Sequence, residues 1–209
     1  MSRYIGSVCK LCLREGEKLF LKGQRCYNKC TLDRRKISGP GQHGASRHGK
    51  SSEYARRLRE KQKAKRIAGL NEAQFRRIFR QAERMSGQTG LNLLRLLEMR
   101  LDTVVYLAGF ASSRAQARQL VSHRHIKVNG RIINFPSRLL QVGDKIELKP
   151  QSQSNEIFKK YLEDNKSRVP SWLSLQPENF SAEVIRYPER DEMSYRNISE
   201  QLIVELYSK

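Results

Sequence analysis

Apolar residues recur at helical spacing at Leu101, Val104, Val105 and Ala108, and the run stops at Gly109, a residue suited to ending a helix. A second helix is predicted after Ser112 or Ser113, since either hydroxyl can accept from a free N–H of its first turn. Ala117, Leu120 and Val121 form its apolar face, and Arg114 and Arg118, four apart, share another. From Ile126 the period falls to two. Ile126 and Val128 alternate with Lys127 and Asn129, and Asn129-Gly130 is the pair a tight hairpin favours. The pattern predicts a helix–helix–hairpin unit on which Arg114, Arg118, His123, Arg124, His125, Lys127, Asn129 and Arg131 crowd together. A cationic surface on a rigid core suits a folded polyanion.

Upstream, Leu91, Leu94, Leu97, Leu101 and Val104 mark a long apolar stripe that reads as core. Ser51 or Ser52 can cap a helix running through Tyr54, Leu58 and Lys61 to about Ile67, with Gly69 as its stop. Asn71 starts another, with Phe75, Ile78, Phe79 and Ala82 inside and Arg76, Arg77 and Arg80 outside. The first 50 residues are rich in Gly, Lys and Arg and hold little periodic apolar content, so they read as an arm without a core of its own. Downstream, Val142-Gly143-Asp144 is a turn, Lys145–Leu148 a strand, 156–165 a helix and Val184–Tyr187 a strand. Asn197 with Glu200 resembles a capping box before Leu202, Ile203 and Leu206. Trp172 and this end are expected to pack on the helical part. The predicted fold class is α+β in three parts: a basic arm over residues 1–45, a helical domain over 46–98 completed by 170–209, and a helix–hairpin module with an antiparallel sheet over 99–165.

Charge sharpens this reading. The 209 residues carry 41 Lys and Arg against 21 Asp and Glu, a net +20. Residues 1–66 hold 19 cations and 5 anions, whereas 131–209 hold 12 of each. Solubility needs no such gradient, and self-repulsion works against a compact domain, so a polyanionic partner is predicted for the N-terminal half. No run of about 18 apolar residues suggests a membrane span, and no apolar signal core opens the chain. The basic helix carries Arg56, Arg57, Arg59, Lys61, Lys63, Lys65 and Arg66 against only Glu53 and Glu60, a broader cationic surface than a solvated face requires. RNA contacts are expected there, at Arg76 and Arg77, and in the arm at Arg3, Lys10, Arg25, Arg34, Arg35, Lys36, Gln42, His43, Arg47 and Lys50. Within Gly39-Pro40-Gly41-Gln42-His43-Gly44 the glycines let backbone approach a phosphate closely. His43, His48, His123 and His125 fit no catalytic or zinc-protease pattern; stacking on RNA and simple exposure both suit them.

All four cysteines lie in the arm: Cys9 and Cys12 in C-x2-C spacing, then Cys26 and Cys30 in C-x3-C spacing. Two close pairs joined by a short loop are what a tetrahedral metal needs, with zinc the default and an iron–sulfur cluster the alternative. Two disulfides or four unrelated free thiols are the competing readings. A closed four-thiolate shell would leave no open position, so the expected role is a structural staple without catalysis.

In order, the chain shows MSRYIG, two cysteine pairs, GPGQHG, EYARRLREKQKAKR, the unit LDTVVYLAGFASSRAQARQLVSHRHIKVNGR and finally EQLIVELYSK. This order resembles the bacterial-type family of the fourth small-subunit ribosomal protein, and the middle unit resembles the RNA-binding module named after it. The resemblance implies a structural constituent of the small ribosomal subunit, cytoplasmic, binding a multi-helix junction of ribosomal RNA (rRNA) early in assembly. It further implies neighbours in the third and fifth small-subunit proteins, a place where messenger RNA (mRNA) enters its channel, support of translational accuracy, and in some members repression of their own operon. Family members with four cysteines hold a metal. No membrane and no small-molecule substrate are implied. Two rivals carry the same module. An RNA-modifying enzyme would use Arg100-Leu101-Asp102, yet Asp102 opens an apolar helical stretch and no second catalytic carboxylate follows. A stand-alone RNA chaperone would explain the module but neither the cysteine arm nor the C-terminal third.

Overall fold

The computed structural model describes residues 4–34, 39, 41, 52–165 and 169–208. The chain forms two compact units, one of residues up to Leu94 together with Asn197–Lys209, the other of Arg95–Arg196.

The first unit is helical. Three short helices, α1 (Val8–Glu15), α2 (Gln24–Asn28) and α3 (Thr31–Arg34), precede α4 (Glu53–Ile67) and α5 (Glu72–Glu83). α6 (Thr89–Glu98) begins here and runs into the second unit, and α11 (Glu200–Tyr207) closes the chain. Local chemistry sets the ends. Ser52 caps α4 by accepting from the Ala55 N–H, and Asn71 and Gln74 form a reciprocal capping box on α5. Phe75, Ile78, Phe79 and Ala82 make the buried face of α5, and the Tyr207 ring stacks on Phe79 with centroids 4.3 Å apart. Gly90 has to be glycine, because a Cβ there would come 2.7 Å from Glu200 Cγ. The expected cap of the last helix is different. Ser199 precedes α11, while Asn197 Nδ2 donates to Glu17 Oε1 at 2.8 Å.

The expected coreless arm is corrected over its described part. α1 packs against α3 and α4, and Leu13 and Leu19 are buried. Two leucines and Cys12 are too few to produce a visible period, yet enough to seat a short helix on an existing surface.

In the second unit, α7 (Leu101–Leu107) and α8 (Arg114–Ser122) lead into β1 (Ile126–Val128) and β2 (Arg131–Ile132), then β3 (Lys145–Leu148), α9 (Pro150–Gln153), α10 (Glu156–Asn165), β4 (Leu173–Gln176) and β5 (Ser181–Val184). The sheet is antiparallel with strand order β2-β1-β3-β5-β4. Asn129 and Gly130 turn the hairpin at φ 50° and 76°, as a type I′ turn needs. Ile126, Val128, Ile146, Leu148, Ala182 and Val184 face a core shared with Val104, Val105, Val121 and Trp172. This placement corrects the expected boundary at residue 170. Trp172 belongs to the sheet unit, because β4 and β5 extend the hairpin's sheet, and the chain rejoins the helical unit only at Asn197. The expected strand at Val184–Tyr187 lies earlier, at Ser181–Val184.

Candidate nucleic-acid interface

The cations of α4 are mostly committed within the protein. Arg57 pairs with Glu53 at 3.2 Å and with Glu205 at 2.8 Å. Lys61 and Lys65 hold the two oxygens of Glu72, each at 2.8 Å. Lys63 sits 2.8 Å from Glu60 and 3.0 Å from Glu17. Arg59 and Arg66 both reach Glu15, whose side chain has no exposure. Burial alone would raise the Glu72 carboxyl, but hydrogen bonds from Lys61 and Lys65 hold it down at about 2. Burial pushes the Glu15 carboxyl up against the pull of Arg66 and Arg59. Among the described residues, only Arg56 of the α4 cations is exposed without an ion pair. The broad cationic surface expected of this helix is therefore largely neutralised by carboxylates from elsewhere in the sequence.

The second cationic helix is different. On α5, Arg76, Arg77 and Arg80, with Arg84 just after it, are exposed and none makes an ion pair with a described carboxylate. Arg76, Arg80 and Arg84 follow at four-residue steps and so lie along one face. In the arm, Lys10, Arg14, Arg25 and Arg34 are likewise exposed. Arg3, Arg35, Lys36, Gln42, His43, Arg47 and Lys50 lie outside the described residues.

Zinc and an iron–sulfur cluster are not supported, and with them the metal-stapled arm. All four cysteines are described, yet no group of three or more His, Cys, Asp or Glu among the described residues is disposed to hold a metal ion. Cys9 and Cys12 ride on α1, Cys26 lies within α2, and Cys30 precedes α3. Burial raises the Cys12 and Cys26 thiols, which favours the protonated sulfur over the thiolate a metal needs. Beside that apolar seating, carboxylates tie the arm down: Glu15 to Arg59 and Arg66, and Glu17 to Lys63 and Asn197. Arg66→Ala would strip buried Glu15 of one of its two cations. Partial exposure of the guanidinium and the remaining Arg59 keep the loss to about 1–2 kcal/mol. The expected result is roughly tenfold faster proteolysis within residues 8–34, with α4 and α5 still protected. Cleavage at the wild-type rate would show that the arm is held by something else.

On the 95–196 unit, the residues expected to face RNA divide. Arg114 lies over the Tyr106 ring at 4.9 Å and beside fully buried Glu98, and it donates to Ser194 Oγ. Arg118 is buried. The expected exposed Arg114–Arg118 face is thus corrected at Arg118, which is buried, while Arg114 is half-buried against acidic and aromatic neighbours. Asn129 is structural: its Nδ2 donates to Asp144 Oδ1 at 2.7 Å and its Oδ1 accepts from the Lys145 N–H at 2.8 Å. His125 Nδ1 shares a hydrogen bond with Ser152 Oγ at 2.9 Å, and Lys127 is half-buried. His123, Arg124 and Arg131 remain exposed. Arg124 adopts φ 62° where α8 ends, and the N–H groups of Arg124 and His125 cap the Val121 and Leu120 carbonyls. This turn sets His123 and Arg124 side by side. Asp102, the second residue of α7, is buried in a two-point pair with Arg100, at 3.0 and 2.8 Å. Sequence reasoning did not single out Arg84 or Arg138; only their charge marks them, with no motif attached.

Two families match this chain. The one described as Ribosomal protein S4/S9 N-terminal domain covers residues 3–98, and the one described as S4 domain covers residues 99–146. The small ribosomal subunit protein uS4 of Natranaerobius thermophilus is 54% identical over 211 residues, all of both chains. That of Caldicellulosiruptor bescii is 56% identical over 214 residues, and the uS4A protein of Clostridium novyi 53% over 210, again across all of both chains.

Proposed function

Because this chain belongs to the uS4 family of small ribosomal subunit proteins, we propose that it holds rRNA through the cations its own carboxylates leave free. It is a structural constituent of the ribosome, cytoplasmic, and not an enzyme. Among the described residues, no helix is long and apolar enough to cross a membrane. The observation that carries the reading is the contrast between α4, whose cations are paired except at Arg56, and the three arginines of α5 with Arg84 just after it, which make no ion pair with a described carboxylate. Phosphates take these arginines as charge-assisted hydrogen-bond donors. A-form RNA offers phosphates, 2′-hydroxyls and shape rather than readable major-groove edges, so contacts along α5 and at His123, Arg124 and Arg131 position the protein more than they read bases. The arm cations Lys10, Arg25 and Arg34 extend the same surface chemistry.

The finer reading is that the chain binds a multi-helix junction of small-subunit rRNA, nucleates assembly and sits beside the third and fifth small-subunit proteins. There it borders mRNA where it enters its channel and supports accuracy. Two units with separate exposed cations support a junction over a single duplex, since each can grip a different helix. The test is salt-dependent binding to an rRNA junction fragment. If about 8 phosphates are neutralised, log affinity falls against log salt with a slope near −6. A slope shallower than about −2 would mean that this surface does not bind RNA.

A further inference from the structure

We propose that an open groove on the 95–196 unit holds one unstacked nucleotide of single-stranded RNA, its base lying on the Phe135 ring. The proposal rests on the RNA-binding reading above and adds a base-contacting site to a surface otherwise limited to phosphates.

The groove lies in the segment between β2 and β3, is open to solvent and has a volume of about 440 Å3, lined by Phe135, Ser137, Arg138, Leu139, Gln141 and Asp144. Its size suits a ligand of nucleotide dimensions. Phe135 is 51% exposed, an unusual state for a phenylalanine in a segment whose backbone is firmly held. The Leu101 N–H donates to the Arg138 carbonyl at 2.8 Å, the Asp102 N–H to that of Pro136 at 3.2 Å, and the Leu140 N–H to that of Met99 at 2.9 Å. The ring is thus presented outward on a fixed wall, which limits the ordering entropy lost when a ligand stacks on it.

The polar groups select the ligand. Asp144 is the one carboxylate of the lining, and both its oxygens are taken: Oδ1 accepts from Asn129 Nδ2 at 2.7 Å and Oδ2 from the Gln141 N–H at 2.9 Å. The Arg138 guanidinium, the Ser137 hydroxyl and the Gln141 amide have no side-chain partner among the described residues. The groove therefore offers an aromatic face, a free cation, a hydroxyl and an amide. A base needs the face and hydrogen-bonding edges, and its phosphate needs the cation. The Asn129–Asp144 bond also pins the hairpin tip to the groove rim, which brings in Arg131, exposed and two residues after Asn129, for a neighbouring phosphate. A peptide would have less use for the groove's free cation, and the strand nearest to it in sequence, β2, offers only a two-residue edge. Duplex RNA, its bases already stacked, cannot enter.

The experiment uses the full chain with a single-stranded hexaribonucleotide carrying one 2-aminopurine, the same hexamer with an abasic position, and an rRNA duplex. Phe135→Ala is expected to weaken hexamer binding roughly five- to a hundredfold, the span that base–aromatic stacking commands, and to abolish the stacking quench of 2-aminopurine. Phe135→Leu, which keeps apolar bulk without a ring, should behave alike, and Arg138→Gln should weaken the hexamer while leaving the quench of bound probe. The abasic hexamer should bind the wild type as weakly as the intact hexamer binds Phe135→Ala. Duplex affinity should be the same in all variants. A hexamer indifferent to Phe135 and to base removal, with duplex still bound, overturns the groove assignment alone. Failure of the wild-type chain to bind the duplex overturns the RNA reading itself.

Discussion

Replacing Arg114 with alanine destabilises the 95–196 unit by about 3 kcal/mol, and the loss appears in thermal unfolding ahead of any change in RNA affinity. Glu98 has no exposure, and burial pushes its carboxyl up while Arg114 pulls it back. The Ser194 N–H and hydroxyl donate to it at 2.9 Å. The guanidinium is also sandwiched, 4.9 Å from the Tyr106 centroid and 5.9 Å from that of Tyr195. Alanine removes the cation and the stack together and leaves a buried carboxylate with Ser194 alone. The figure stays near the low end of the cost of leaving a buried charge without its neighbouring cation, because Ser194 still donates to Glu98 and the carboxyl can take up a proton. That proton fixes the pH dependence. A group whose folded pKa lies above its unfolded one gains stability as pH falls through the folded value toward the unfolded one. Without Arg114, Glu98 moves further up, so the variant's deficit should shrink on mild acidification. Arg114→Ala combined with Glu98→Gln should recover part of the loss. Wild-type stability in Arg114→Ala, with weakened RNA binding, would return Arg114 to the RNA surface.

What could be read from the sequence here is what is local. Ser113 caps α8 by accepting from the Gln116 N–H at 3.3 Å, and Asn129-Gly130 turns the hairpin because few other pairs tolerate two successive positive φ angles. The capping box at Asn71 is local in the same way. What escaped depends on partners far along the chain. Glu205 lies 148 residues from Arg57, and Glu15 lies 51 from Arg66, so a helical wheel of α4 shows cations and hides their counter-ions. Trp172 is apolar enough to be buried anywhere, and only the β3–β5 and β4–β5 pairings decide that it joins the sheet unit. The cysteine spacing allowed several outcomes, and what decides against ligation is that, among the described residues, no group of three or more His, Cys, Asp or Glu is disposed to hold a metal ion. The same distinction ranks the cations in the proposed reading: charge alone marks where RNA could bind, and internal ion pairs put most of α4 behind the α5 row.

Neutralising the α5 row is therefore expected to weaken RNA binding more than any change on α4. In the quadruple variant Arg76→Gln, Arg77→Gln, Arg80→Gln and Arg84→Gln, each side chain lost is a charge-assisted donor with a net contribution of about 1 kcal/mol. The sum is about 3–4 kcal/mol, or a few hundred- to a thousandfold in affinity. If all four touch phosphates, the slope of log affinity against log salt becomes shallower by about 3. Folding should not suffer. The four are exposed and lack carboxylate partners, and Arg76, Arg80 and Arg84 repel one another at four-residue spacing, so the melting temperature should hold or rise slightly. The control is Lys61→Gln with Lys65→Gln, which frees Glu72 from the two donors that hold its carboxyl at about 2. That pair should lower the melting temperature and leave the salt slope nearly intact. The opposite pattern, a shallower slope from the α4 pair and none from the α5 row, would mean that RNA displaces the internal carboxylates on binding, and that ion pairing in the free protein does not predict which cations meet phosphate.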